Sequence, residues 1–211
     1  MPEIMTVMLI AAMVMTLVAS LCRPVMSSTG AVQAQTDLVQ SADDALYRIQ
    51  RDVRESDPNG VFVCSGSAAA IACTPASDLT APIDAQYLAI LTAVDTSSGL
   101  MSWDSTGRPA WTGFDVYWLS PEAGETNQLE YAFAPAQIQP GVNPSILNAD
   151  VIDAVTLATR GAAETLAHSI ARIQTMVSLS KDHVAIRIFS QATEGASTNV
   201  TSLESDAYAR N

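Results

Sequence analysis

Positive charge is what this chain has least of. Ten lysines and arginines stand against twenty-two acidic residues, a formal charge of -12 at pH 7. That balance excludes a general positive field of the kind that holds nucleic acid or an anionic lipid surface. Aromatic residues make up 6% of the chain, too few for an extended base-stacking platform. There is no glycine-rich phosphate loop: "GAAETLAHS", residues 161–169, lacks both the lysine and the spacing. Neither HExxH nor G-x-S-x-G occurs. His168 and His183 lie far in sequence from the three cysteines, and no CxxC accompanies them, so no metal site is expected. No cofactor and no enzymatic activity are expected either. Glu164 precedes His168 by one helical turn, and a Glu–His pair on a helix can tune a base, yet such a pair is more often a surface contact.

What the chain does have begins at its amino terminus. Ile4 to Leu21 carries no charge and only the hydroxyls of Thr6, Thr16 and Ser20. Eighteen helical residues rise about 27 Å, close to the hydrocarbon thickness of a bilayer. A membrane span or a targeting segment is therefore expected. A cleaved secretory signal would open on basic residues and use a shorter core. The bulky Leu21 before Cys22 also argues against lipoprotein cleavage. Arg23 is the nearest basic residue and, taken alone, would keep its side of the span cytoplasmic.

Beyond the span an amphipathic stripe continues. Val25, Val32, Val39, Leu46 and Val53 recur every seven residues, with Ala42 and Ile49 between them. Asp44–Arg48 and Arg51–Glu55 are spaced for i,i+4 support. "DPNG", residues 57–60, stops the helix. Pro24 and Gly30 punctuate the run without ending it, so residues 4–56 are read as one helix of roughly 80 Å. A coiled-coil dimer, or an anchor followed by a separate core helix, fits the same stripe.

Downstream, "QYLAILTAVD" (86–95), "FDVYWLS" (114–120) and "QLEYAFAP" (128–135) read as strands, the last two joined by "PEAGETN". Residues 149–171 read as a helix weakened by Gly161. "QTMVSLS" and "HVAIRIFSQ" read as strands around a turn at Lys181-Asp182, followed by a polar tail. Cys64 and Cys73 flank "SGSAAAIA". A turn through Gly66 and Ser67 would let them form a disulfide if the body is exported, or else they are two small buried apolar side chains. The fold class expected is α+β, with a long amino-terminal helix packed on an antiparallel sheet. Its parts are a span at 1–24, an amphipathic continuation at 25–57 and a body at 58–211.

Glu3 stands at the mouth of the apolar run. An ionised carboxylate in hydrocarbon needs a partner, and among packed spans it could meet a free α-amine from a neighbour and so fix register. "EIMTVMLIAAMVMTLV" resembles the amino-terminal motif of type IV pilin-like proteins from its glutamate onward, and the plan is similar to minor pilins and minor pseudopilins of the J or W kind. Pro24 falls near the point where such helices kink. "ALYRIQRDVRESDP" (45–58), "ETLAHSIARIQTMVSLSKDHVAIRIFSQ" (164–191) and the terminal "ARN" resemble further segments of that group. The basic leader and its glycine are absent, so the resemblance implies a mature start a short way upstream of Met1, and a leader that would place the body outside.

The resemblance implies a pilin-like fold with a membrane-embedded first half of the helix. It implies a minor subunit of a type IV pilus, or of a type II secretion or DNA-uptake pseudopilus, assembling through Glu3 and the helix. Its partners would be other pilin or pseudopilin subunits, an inner-membrane assembly platform and a prepilin peptidase. Its location would be the inner membrane, single-pass, with the body on the extracytoplasmic side, and the filament after assembly. A single-span anchored binding or adhesion domain is the alternative, and a membrane-tethered hydrolase the third reading.

Overall fold

The structure, a computed structural model, describes residues 2–57, 59–66, 70–95, 98–122, 127–136, 148–177, 183–194 and 197–208. The chain forms two units, Met1–Asp37 and Leu38–Asn211. Helix α1, Pro2–Glu55, contributes residues to both and runs unbroken through Pro24 and Gly30.

In the first unit the described side chains of Met8, Met13, Val14, Met15, Leu17 and Val18 are exposed. The hydroxyls of Thr16 and Ser20 donate to the carbonyls of Met13 and Leu17, each at 2.8 Å. Among the described residues no helix is long and apolar enough to cross a membrane. The expected membrane-embedded half of the helix is corrected on that finding, and with it the transmembrane assignment and the single-pass inner-membrane location.

The second unit is an α+β fold built on one curled antiparallel sheet. Its strands are β1 Val61–Ser65, β2 Ala72–Pro75, β3 Ile83–Ala85, β4 Tyr87–Thr92, β5 Gly113–Pro121, β6 Asn127–Pro135, β7 Glu164–Val177, β8 His183–Glu194 and β9 Ser197–Tyr208. They pair in the order β2-β1-β4-β5-β6-β7-β8-β9. Strand β7 outlasts β6, and β3 takes up its free edge, with Ile83 opposite Thr175.

Helix α1 covers one face of the sheet and helix α2, Asn148–Ala158, the other. On α1 the spacing Ala42, Ala45, Leu46, Ile49, Val53 is helical, and these side chains are buried against Val61, Val63, Leu88, Ile90, Tyr117 and Ile173. The alternate residues Phe62, Ala89, Leu91, Phe114, Val116 and Trp118 face Val151, Ala154, Val155 and Ala158 of α2. Phe114, Val116 and Trp118 thus lie on the face opposite to Tyr117, as strand alternation requires. Both faces are covered, so Asp115 and Tyr117 are buried rather than wet.

Two expectations for the body change. Helix α2 stops at Ala158, and residues from Glu164 form strand β7, not the second half of a helix. Irregular register at the junctions of β7 with β6 and β8, and a left-handed Ser169 at φ 57°, set the inward residues Ala167, Ile170 and Ile173 three apart. A bulged strand thus imitates helical spacing. The polar tail is strand β9, paired with β8 along twelve positions from Glu194↔Ser197 to His183↔Tyr208. Serine, threonine and charge are common on an edge strand, where one side meets water. The turn expected at Lys181-Asp182 lies outside the described residues.

Cys64 and Cys73 sit opposite each other in β1 and β2 and are joined by a disulfide, Cα to Cα 4.1 Å. Gly66, just after β1, has φ 111°, and a Cβ there would lie 2.1 Å from the carbonyl oxygen of Ala70. Only glycine fits that turn without strain.

Candidate functional site

Where α1 crosses β5 and β6, polar residues meet inside the body. One turn of α1 separates Arg48 from Asp52, and the odd positions of β5 supply Asp115 and Tyr117. Tyr117 donates its hydroxyl to Asp52 Oδ2. Arg51 donates from Nε and Nη2 to Asp52 Oδ1 at 3.0 and 2.9 Å. Tyr131 of β6 donates to Asp115 Oδ1 at 2.6 Å. The Arg48 guanidinium lies 3.9 Å over the Tyr131 ring and bonds Glu164 Oε2 at 2.8 Å. The two tyrosine rings are 5.1 Å apart.

Burial pushes the Asp115 carboxyl up to about 6, and the Asp52 charge adds to this. Hydrogen bonds from Tyr131 and Thr92, and the Arg48 charge, oppose the rise. Burial and the neighbouring aspartates raise both Tyr117 and Tyr131 above the ordinary phenol range. Burial works against the charge on Arg48, yet its bond to Glu164 and the nearby acids hold it above the usual guanidinium value. Arg51, Asp52, Thr92, Val94, Asp115, Tyr131 and Phe133 line a half-open cavity of about 270 Å³.

The cavity lies at the foot of loop 93–112, of which residues 93–95 and 98–112 are described. Backbone bonds fold this loop back on itself: Ser102 N to Ala93 O at 2.7 Å, Asp95 N to Leu100 O at 2.9 Å, and Ala110 N to Ser102 O at 2.9 Å. Bridges pair Val94 with Met101 and Trp103 with Pro109. At the tip, Asp104 Oδ1 accepts from Thr106 N, Thr106 Oγ1 and Arg108 N at 2.8, 2.7 and 2.9 Å, which holds its carboxyl below the usual range. Gly107 closes the turn at φ 78°. The loop carries Leu100, 69% exposed, and Trp103, 56% exposed.

The residues singled out in the sequence fall elsewhere. Glu3 and Pro24 belong to α1, but their side chains lie outside the described residues, as does that of His183. His168 is on the exposed side of β7 with Nδ1 2.8 Å from Glu122 Oε1, and Ser169 N donates to Glu122 Oε2 at 3.1 Å. Those two bonds lower the Glu122 carboxyl. Glu164, expected beside His168, instead pairs with Arg48, and Arg51 turns to Asp52. Among the described residues no group of three His, Cys, Asp or Glu could hold a metal ion.

Sequence reasoning passed over both the buried network and loop 93–112. The signals available were an aspartate inside an apolar alternation at 114–118 and the turn sequence "DSTG" next to Trp103.

No protein-family model, no curated protein and no solved structure matches this chain. Nothing among them supports the pilin-like subunit role, and among the described residues no helix long and apolar enough to cross a membrane supports the anchored-domain alternative. Both are withdrawn.

Proposed function

We propose that this chain is a non-enzymatic protein-recognition domain that seats its partner on loop 93–112. The observation that carries the reading is Trp103, a large aromatic held exposed on a loop fixed by its own hydrogen bonds. Tryptophan is the residue most enriched among binding hot spots. Ordering a flexible loop costs affinity, and a pre-bonded loop avoids most of that cost. Leu100 extends the apolar contact. The partner is a protein with an apolar pocket rimmed by basic groups, since the chain carries a formal charge of -12 and the loop itself holds Asp95 and Asp104 against Arg108.

The polar network beneath the loop supports the non-enzymatic part of the reading. Tyr117, Tyr131, Arg48 and Arg51 each donate to Asp52, Asp115 or Glu164. Groups bonded this way brace α1 against the sheet and hold the loop's base still.

Photo-crosslinking from a benzophenone amino acid at Leu100, in the cells that make the protein, tests the proposal. The expected result is one reproducible protein adduct, whose affinity, remeasured with the purified partner, falls at least about thirtyfold on Trp103→Ala. Only background adducts, or an affinity unmoved by Trp103→Ala, would overturn it.

A further inference from the structure

The two ends of the sheet stop in different ways. At one end β2 is four residues long, closes on Pro75 and is tied to β1 by the Cys64–Cys73 bond. Short length and proline both make an edge strand unfit to pair further. At the other end β9 runs twelve residues and pairs with β8 without a register shift. It contains no proline and no lysine, and no bulge turns it away. Among the described residues β8 is its sole partner. Every second residue of β9 therefore points its N–H and C=O away from β8, along an edge of about 41 Å. Backbone donors and acceptors in that arrangement are matched by another extended strand.

The charges of β9 favour its own copy as that strand. Its charged residues, Glu204 and Asp206, both fall in the carboxy-terminal half, and positions 197–203 are uncharged. When an antiparallel strand pairs with its copy about a two-fold axis, each residue faces one equally far beyond the centre. With the axis at Leu203, Glu204 faces Ser202 and Asp206 faces Val200 of the other copy. With the axis at Ser202, the same two acids face Val200 and Thr198. In neither register does an acid meet an acid, which would be destabilising. Glu204 is also paired with Arg187 of β8 at 2.7 Å, so its charge is answered within its own copy. Ser202 and Glu204 are exposed, while Leu203 between them packs against the core. Joining β9 to β2 of another copy would offer only four residues to pair.

We propose that β9 pairs antiparallel with β9 of a second copy, joining two bodies through one continuous sheet. Such an interface is isologous, so it closes at two copies rather than growing into a fibre. Three strands separate β9 from β5, where loop 93–112 ends, so the pairing makes no use of Trp103. Each copy carries a formal charge of -12, which opposes association, and about 0.15 M salt screens that charge beyond roughly 8 Å. Pairing along one strand makes a modest interface, and the expected dissociation constant is on the order of 10 μM.

Sedimentation velocity of the full-length chain, from about 1 to 300 μM in about 0.15 M salt, reads the assembly. Hydrogen exchange at the two ends of that range reads its place. The expected result is a monomer passing to a dimer as concentration rises. Alternate amides of residues 197–208 should exchange about fivefold more slowly at the high concentration, with β5 and β6 unchanged. Val200→Glu combined with Ser202→Glu sets acid against acid in both registers. That double variant should keep the parent's melting curve and raise the dissociation constant at least about tenfold. A monomer at every concentration, association without added protection in β9, or a folded double variant that associates as tightly as the parent would overturn the inference. Should the double variant fail to fold, the exchange pattern of the parent decides alone.

Discussion

Arg48 of α1 lies 3.9 Å over the ring of Tyr131, a residue of β6. One cation thereby touches an aromatic face and, through Glu164, the start of β7. Helix and sheet are joined here by charge and hydrogen bonds, in addition to the apolar contacts of Ile49 and Val53. The consequences can be measured.

Tyr117→Phe removes the buried donor to Asp52 and leaves the ring in place. Arg51 remains as the carboxylate's partner. Stability should fall by about 1–3 kcal/mol, the usual cost of leaving a buried acceptor short of a bond. Urea denaturation of the variant beside the parent reads it, and a change under about 0.5 kcal/mol would show that Asp52 does not depend on Tyr117.

Asp115 gives a pH dependence with a definite sign. Its carboxyl is raised from an ordinary 3.8 to about 6. The folded state therefore holds this proton more tightly than the unfolded chain, and in that window stability falls as pH rises. The penalty is absent below the unfolded value and complete above the folded one. At neutral pH it is on the order of 3 kcal/mol, taking 1.36 kcal/mol for each unit. Asp115→Asn should flatten stability between about pH 4 and 6 and should not lower it at pH 7. Tm measured across that range decides; a variant as pH-dependent as the parent would show that another group governs the window.

The Cys64–Cys73 bond closes a short loop, nine residues apart in sequence. By chain entropy, such a cross-link stabilises by about 2.5 kcal/mol. Reduction, or Cys64→Ala with Cys73→Ala, should lower the unfolding free energy by about that amount. An unchanged denaturation midpoint under reducing conditions would mean that the β1–β2 ladder holds without it.

Ser169 occupies the left-handed region at φ 57°, with its N–H on Glu122. A side chain there costs roughly 1–2 kcal/mol relative to glycine, of which glycine's extra unfolded freedom offsets 0.5–1. Ser169→Gly should therefore be neutral to stabilising by up to about 1.5 kcal/mol. A loss of more than that in thermal melts would assign the serine a contact beyond its backbone.

The sequence made the main elements of the body legible where period and chemistry agreed. The heptad series begun at Val25 marked Leu46 and Val53, with Ala42 and Ile49 between them, as the buried stripe of α1, although Val32 of the same series is exposed, and β-favouring residues marked β5 and β6. The facing positions of Cys64 and Cys73 were legible because a tight glycine turn separates them. Strand β7 was misread because its bulge spaces Ala167, Ile170 and Ile173 like a helix. Strand β9 was misread because an edge strand needs little apolar pattern. The Asp115 network was not legible. An aspartate alternating with Phe114 and Val116 ordinarily faces water, and only the packing of α1 over that face buries it. The apolar amino-terminal run was the strongest feature of the sequence, yet the bilayer span read from it is not upheld among the described residues.

The central claim, that Trp103 is the anchor by which this domain recognises a protein, is tested most directly by one pair of affinities. The photo-crosslinked partner, purified, is titrated against the full-length parent chain and against Trp103→Ala. The account predicts at least about 2 kcal/mol lost in binding, near a thirtyfold rise in Kd, with unfolding free energy unchanged within about 0.5 kcal/mol. Equal affinities for the two proteins would contradict it.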